Sequence, residues 1–143
     1  FIFSLGFYVT PAILGGGKTL MAAEWIGLQI LNLIRWGLGV WLNGMFPHLP
    51  PGTAVANVAG GYMIGVAVVL FTHHATLPAE WRLFVITGLL GGLTTFSTFS
   101  AEVVNALQAG RHLWAGAIVT LHLAGSLAAT VAGIATATWW VRR

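Results

Sequence analysis

Gly91-Gly92-Leu93-Thr94-Thr95-Phe96-Ser97-Thr98-Phe99-Ser100 places two glycines and five hydroxyl side chains in the middle of an apolar run. Hydroxyl and β-branched residues behind a glycine pair are poor α-helix material. In a soluble domain the stretch would read as a loop. Its surroundings exclude that: the 143 residues are 57% hydrophobic and only 6% charged, with 19 glycines and a mean hydropathy of +0.87, values a soluble domain does not reach. The stretch therefore reads as a helix broken inside a membrane, and the chain as an all-α integral membrane protein.

A helix needs roughly 20 mostly apolar residues to cross a hydrocarbon core about 30 Å thick. Pro, His and charge cluster at 43–51, 72–82 and 108–112, which marks loops. The runs between them predict four transmembrane helices at approximately 24–44, 52–72, 80–108 and 112–140, the third broken near its midpoint. Trp81, Trp114, Trp139 and Trp140 fall near the ends of these spans, where indole rings prefer the headgroup level. Residues 1–23 carry Pro11 and Gly15-Gly16-Gly17, lack the basic start and cleavage site of a signal peptide, and begin with Phe1 rather than Met, as a fragment would. Lys18, Arg82, Arg142 and Arg143 fall on the side of both termini and Arg111 on the other, which favours cytoplasmic termini on a small margin and leaves dual insertion open. Four short helices bury little against one another, so an oligomer is expected. The chain has no cysteine, which removes disulfides and thiolate metal sites,. A net charge of +3 spread over so few residues describes loops, not a nucleic-acid surface,.

Ala56, Gly60, Gly61 and Gly65 in the second predicted helix, and Gly125, Ala129 and Gly133 in the fourth, let helix backbones approach closely, and bundle packing accounts for them,. The polar residues ask for more. His122, Ser126 and Thr130 recur every four residues and share one helical face,. Ser126 and Thr130 can bond to the preceding turn of their own helix, the plainer reading for those two. Asn57 has four hydrogen-bonding sites to satisfy where water is absent. Together they suggest a wet or ion-lined path.

A break at bilayer depth is tolerated where it is buried in protein or lines a cavity. It frees carbonyls from one half-helix and amides from the other, offering a cation site and an anion site. Phe96 and Phe99 flank the hydroxyls, and the positive edge of an aromatic ring can face a small anion. A glycine kink with two core phenylalanines is the plainer alternative for any one of these residues. It accounts less well for the whole decapeptide.

The decapeptide followed by Ala101-Glu102, the segment Pro51-Gly52-Thr53-Ala54-Val55-Ala56-Asn57-Val58-Ala59-Gly60-Gly61-Tyr62 before it, and Ala124-Gly125-Ser126-Leu127-Ala128-Ala129-Thr130 after it resemble the CrcB/Fluc fluoride channel family from about Arg35 to the C-terminus. The resemblance implies a multi-pass protein of the bacterial inner membrane. It implies an antiparallel, dual-topology homodimer with two fluoride pores along the subunit interface and one structural sodium ion at the centre. On matching positions, Asn57, Phe96, Phe99, Ser126 and Thr130 would line the fluoride pore. The carbonyls of Gly91 and Thr94 would hold the sodium, and Arg35 would serve a vestibule or structural role. Such a channel exports cytoplasmic fluoride passively and needs no catalytic residue. Fluoride and membrane lipid are the implied partners beside the second subunit, with no nucleic acid. No set of nucleophile, base and orienter is visible, and His73-His74 reads as a solvated loop pair,.

Departures concentrate at the start. Gly27-Leu28-Gln29-Ile30-Leu31-Asn32-Leu33-Ile34 is bulkier than the glycine-rich run expected before the arginine, and Ile118 and His122 occupy positions where the family often has polar or aromatic residues. Residues 4–16 resemble a segment of polyamine-type ABC transporter permeases, continuing towards Leu33. The chain is accordingly divided into an atypical segment 1–33 and a fluoride-channel domain 34–143, as a gene fusion would produce. Two rival readings follow. Ala22-Ala23-Glu24-Trp25-Ile26-Gly27 resembles the membrane glutamate region of small multidrug resistance exporters, in which Glu24 would exchange protons for cationic drugs,. Alternatively, the fusion inserts into the membrane without function.

Overall fold

The computed structural model describes the backbone of residues 18–143 apart from 47 and 75, and side chains from residue 27 onward apart from 47, 75 and 80. The permease-like stretch 4–16 and the Glu24 side chain lie outside the described residues. Among those described the chain is helical, with no strand. Helix α1, Lys18–Leu42, begins ahead of the expected residue 24. Helix α2 is Pro51–His73. Proline suits its first position because a helix start leaves that N–H unused, and the next N–H, of Gly52, is received by Asn43 Oδ1 at 2.9 Å.

The third span is composite. It runs through α3 (Ala79–Arg82), a π-helical segment (Leu83–Leu90) and α4 (Gly91–Leu93), then two extended residues, then α5 (Phe96–Gln108). The π geometry shows at its end, where the Gly91 N–H reaches back to the Ile86 carbonyl. At the far end of α5, Gly110 takes φ 71°, a conformation only glycine adopts without strain. This lets the Gly110 N–H reach Leu107 O at 2.9 Å and the Arg111 N–H reach Ala106 O at 2.8 Å, closing the helix as a Schellman turn. Helix α6, His112–Val141, is unbroken. Pro51–His73, Leu83–Gln108 and His112–Val141 are each long and apolar enough to cross a bilayer, so the protein is a multi-pass membrane protein.

Helices α2 and α6 form the central pair, with α1 against α2 and α5 against α6. Glycines set their closeness. A Cβ on Gly61 would lie 2.8 Å from the Ser126 carbonyl, and on Gly65 or Gly133 it would collide with the backbone carbonyl of Thr130 or Tyr62 respectively. Between α5 and α6, Phe99, Ala106, Ala115 and Ile118 form a buried apolar cluster, with Leu49, Val103 and Val119 against it.

The third span opens inside the decapeptide, near the expected midpoint of 80–108: Gly91 and Gly92 remain helical, and then Thr94 takes φ −82°, ψ 150° and Thr95 φ −143°, ψ 111°. The reason is steric and polar. A Cβ on Gly92 would strike the Leu28 side chain, so that glycine serves contact with α1, while the break falls where another helix supplies hydrogen bonds.

Candidate functional site at the helix break

The break is built around Asn57. One helical turn after Thr53 on α2, its amide lies opposite the extended backbone of Thr95. The Thr95 N–H donates to Asn57 Oδ1 at 2.7 Å, and Asn57 Nδ2 donates to the Thr95 carbonyl at 3.2 Å. The side chain thus replaces both backbone partners that an unbroken helix would have supplied. In a continuous helix the Thr95 N–H would have gone to the Gly91 carbonyl. Its diversion releases that carbonyl, which faces Thr94 Oγ1 at 3.4 Å. Thr95 also caps α5: its Oγ1 accepts from the Thr98 N–H at 3.3 Å and lies 3.2 Å from Ser97 Oγ and 3.0 Å from Thr98 Oγ1. The positive end of the α5 dipole therefore opens among hydroxyls at the depth of the break.

A second polar chain leads away from Asn57. Its other amide proton faces His122 Nδ1 at 2.9 Å. His122 is buried on α6 and stacks on Phe99 with ring centroids 4.8 Å apart. Its Nε2 lies 3.8 Å from Glu102 Oε2, while Glu102 Oε1 accepts from Thr53 Oγ1 at 2.6 Å. Glu102 Oε2 is buried without a hydrogen-bond partner. Thr53, Glu102, His122, Asn57 and Thr95 thus form one row across α2, α5 and α6.

Phe96 and Phe99 meet edge to face at 5.4 Å. They sit in different surroundings: Phe99 is 7% exposed and Phe96 74%. Ser126 and Thr130 lie further along α6 against Gly61, where Thr130 Oγ1 donates to the Ser126 carbonyl at 2.9 Å. For Thr130 the local bond anticipated as the plainer reading is the one present. The structure therefore joins Asn57, Phe99 and Phe96 at the break, and sets Ser126 and Thr130 along the adjoining seam without a hydrogen bond between the two groups.

Arg35 reaches the break from α1. Its guanidinium donates to the Gly92 carbonyl at 3.3 Å and to Asn32 Oδ1 at 2.9 Å. Asn32, which departs from the small residues expected there, orients the arginine. Gly91 and Thr94 flank the kink, and the released Gly91 carbonyl gives a hard monovalent cation the oxygen donor it requires, as unwound membrane helices do elsewhere. Its chemistry is that of an oxygen donor to a hard cation such as sodium.

Sequence reasoning reaches Asn57, the phenylalanines and the α6 stripe, but not Thr53, Thr95 or the role of Glu102. One signal marks Glu102: it is an ionisable residue inside a predicted span, where such residues are costly and functional by default. Thr53 carries no signal of its own before the fold is known, and Thr95 is marked only as one hydroxyl among several in the break.

The chain matches the protein family described as "CrcB-like protein, Camphor Resistance (CrcB)" over residues 26–134, a stretch that starts upstream of Arg35. It is 56% identical over 115 residues to a protein of Nitrosomonas europaea named "Fluoride-specific ion channel FluC", covering 80% of this chain and 91% of the relative. A protein of the same name from Tolumonas auensis is 60% identical over 111 residues, 78% of this chain and 87% of that one. A third, from Pseudomonas putida, is 54% identical over 119 residues, 83% and 93% of the two chains.

Proposed function

The chain belongs to the CrcB-like family, and on that premise we propose that it is a fluoride-selective channel through which cytoplasmic fluoride leaves the cell passively. It is a conductor of ions and not an enzyme. The observation that carries this reading is the break at Thr94 and Thr95, held by Asn57 beside an edge-to-face phenylalanine pair. Fluoride is small and tightly hydrated, so a pore must replace its water with donors and ring edges while staying too narrow for larger anions. Phe96 and Phe99 provide ring edges at the break, Asn57 provides a donor once one of its two engaged amide protons is freed, and Ser126 and Thr130 continue the track.

The working unit is an antiparallel, dual-topology homodimer in the bacterial inner membrane. A phenylalanine 74% exposed beside a polar break supports a second subunit over that face. Sodium, when bound by the Gly91 and Thr94 carbonyls, would supply fixed positive charge at the centre. This chain's own residues hold the geometry there: Asn57 keeps the Gly91 carbonyl released, and Arg35 occupies the neighbouring Gly92 carbonyl.

Fluoride efflux from proteoliposomes, followed with a fluoride electrode, tests the reading. The chain is expected to release trapped fluoride, Phe96→Ile to fall to the protein-free background, and Glu24→Gln to match the parent. Parent liposomes that retain their fluoride, or loss of efflux in Glu24→Gln, would overturn it.

A further inference from the structure

The Thr95 N–H can face only an acceptor, so its 2.7 Å contact fixes the Asn57 oxygen on that side and turns the amide nitrogen towards the Thr95 carbonyl and His122,. His122 Nδ1 must then accept, which puts the proton of the neutral ring on Nε2, facing Glu102 Oε2 across 3.8 Å, too far for a hydrogen bond,. In this state both protons of the Asn57 amide are committed, one to Thr95 O and one to His122 Nδ1. Asn57 has no donor left for an anion.

We propose that His122 is a positioning residue that couples fluoride passage to protonation: a proton on Nδ1 releases the Asn57 amide and leaves two donors that an anion can join. The inference rests on the fluoride-channel reading. A proton arriving from an acidic aqueous face converts Nδ1 from acceptor to donor, so Asn57 Nδ2 and His122 Nδ1 can no longer bond directly. Fluoride accepts from both. Burial works against the charged ring, and two neighbours offset that cost,. From α5, Glu102 presents its unpartnered Oε2, and Phe99 stacks on the imidazole, as an aromatic face does on a cation. From α2 come Thr53 and Asn57, both uncharged. Among the described residues Glu102 is the one acidic group within ion-pair distance of His122. Acid outside the cell drives undissociated hydrogen fluoride inward, so a pore that opens on acidification would act when the load is greatest.

The test is efflux at equal internal and external pH, stepped from about pH 8 to about pH 5.5 across the range in which imidazole changes charge, with the protein-free leak subtracted. The parent is expected to speed up several-fold on acidification. His122→Gln, whose amide still accepts from Asn57 but does not titrate, is expected to give a flat profile. A flat parent profile, or an unchanged slope in His122→Gln, overturns the proposal. So does a slope kept in His122→Gln and lost in Glu102→Gln, which would assign the proton to the carboxyl. Nitrogen-15 spectra of the labelled parent give a second readout that needs no variant: at about pH 8 His122 Nδ1 is expected to carry no proton, and a protonated Nδ1 there overturns the assignment. If no fluoride moves at any pH, the channel reading itself fails and the proposal falls with it.

Discussion

The α2–α6 seam and the break in the third span both place backbone against foreign atoms at bilayer depth, but they satisfy polar groups by different means. On the seam, hydroxyls bond first to their own helix: Thr130 Oγ1 donates to Ser126 O at 2.9 Å and Thr136 Oγ1 to Gly133 O at 3.0 Å, with one bond across, from Tyr62 Oη of α2 to Thr136 Oγ1 at 3.0 Å. At the break, partners come from other helices: Asn57 of α2 serves Thr95, and Arg35 of α1 serves Gly92. A group satisfied within its own helix can be removed alone. A group satisfied across helices cannot, because its loss strands a partner in a medium with no water to replace it.

That contrast orders the expected effects of mutation. Asn57→Ala strands the N–H and carbonyl of Thr95, each at about 1–3 kcal/mol. Efflux should fall to background and the thermal midpoint in detergent should drop more than for any other single change named here. Gly65→Leu tests the opposite region. Its side chain meets the Thr130 carbonyl, and overpacking of this kind costs about 1–3 kcal/mol. It should reduce the yield of folded protein while the molecules that do fold keep measurable efflux, since the break is untouched. Thr130→Val should do least, changing stability by no more than about 0.5 kcal/mol and slowing efflux without abolishing it. Were Thr130→Val to destabilise as much as Asn57→Ala, the distinction between the two regions would not hold.

Much of the seam is legible in sequence, because glycines repeated at helical spacing have a single physical use in lipid. The loop at Gln108–His112 is legible for a similar reason, since Gly110 marks the one turn among the described residues that needs positive φ. The break is legible in the sequence, near the midpoint of the third span, but what holds it is not: Asn57, 38 residues away along the chain, satisfies Thr95, and nothing local reveals that pairing. The same holds for Thr53 and Glu102, 49 positions apart and joined by one hydrogen bond. Propensity is local, whereas the satisfaction of a buried polar atom is decided by the whole fold.

The π-helical segment Leu83–Leu90 has a consequence for how the sequence can change in length. Each π turn holds one residue more than an α turn. Losing a residue there returns the segment towards ordinary α geometry and need not swing Phe96 or Phe99 out of place. The same deletion in α2 would rotate everything beyond it by about 100° and carry Asn57 or its glycines off the faces they occupy. Insertions and deletions in descendants of this chain should therefore gather ahead of the break, in the one span that already has slack in its winding.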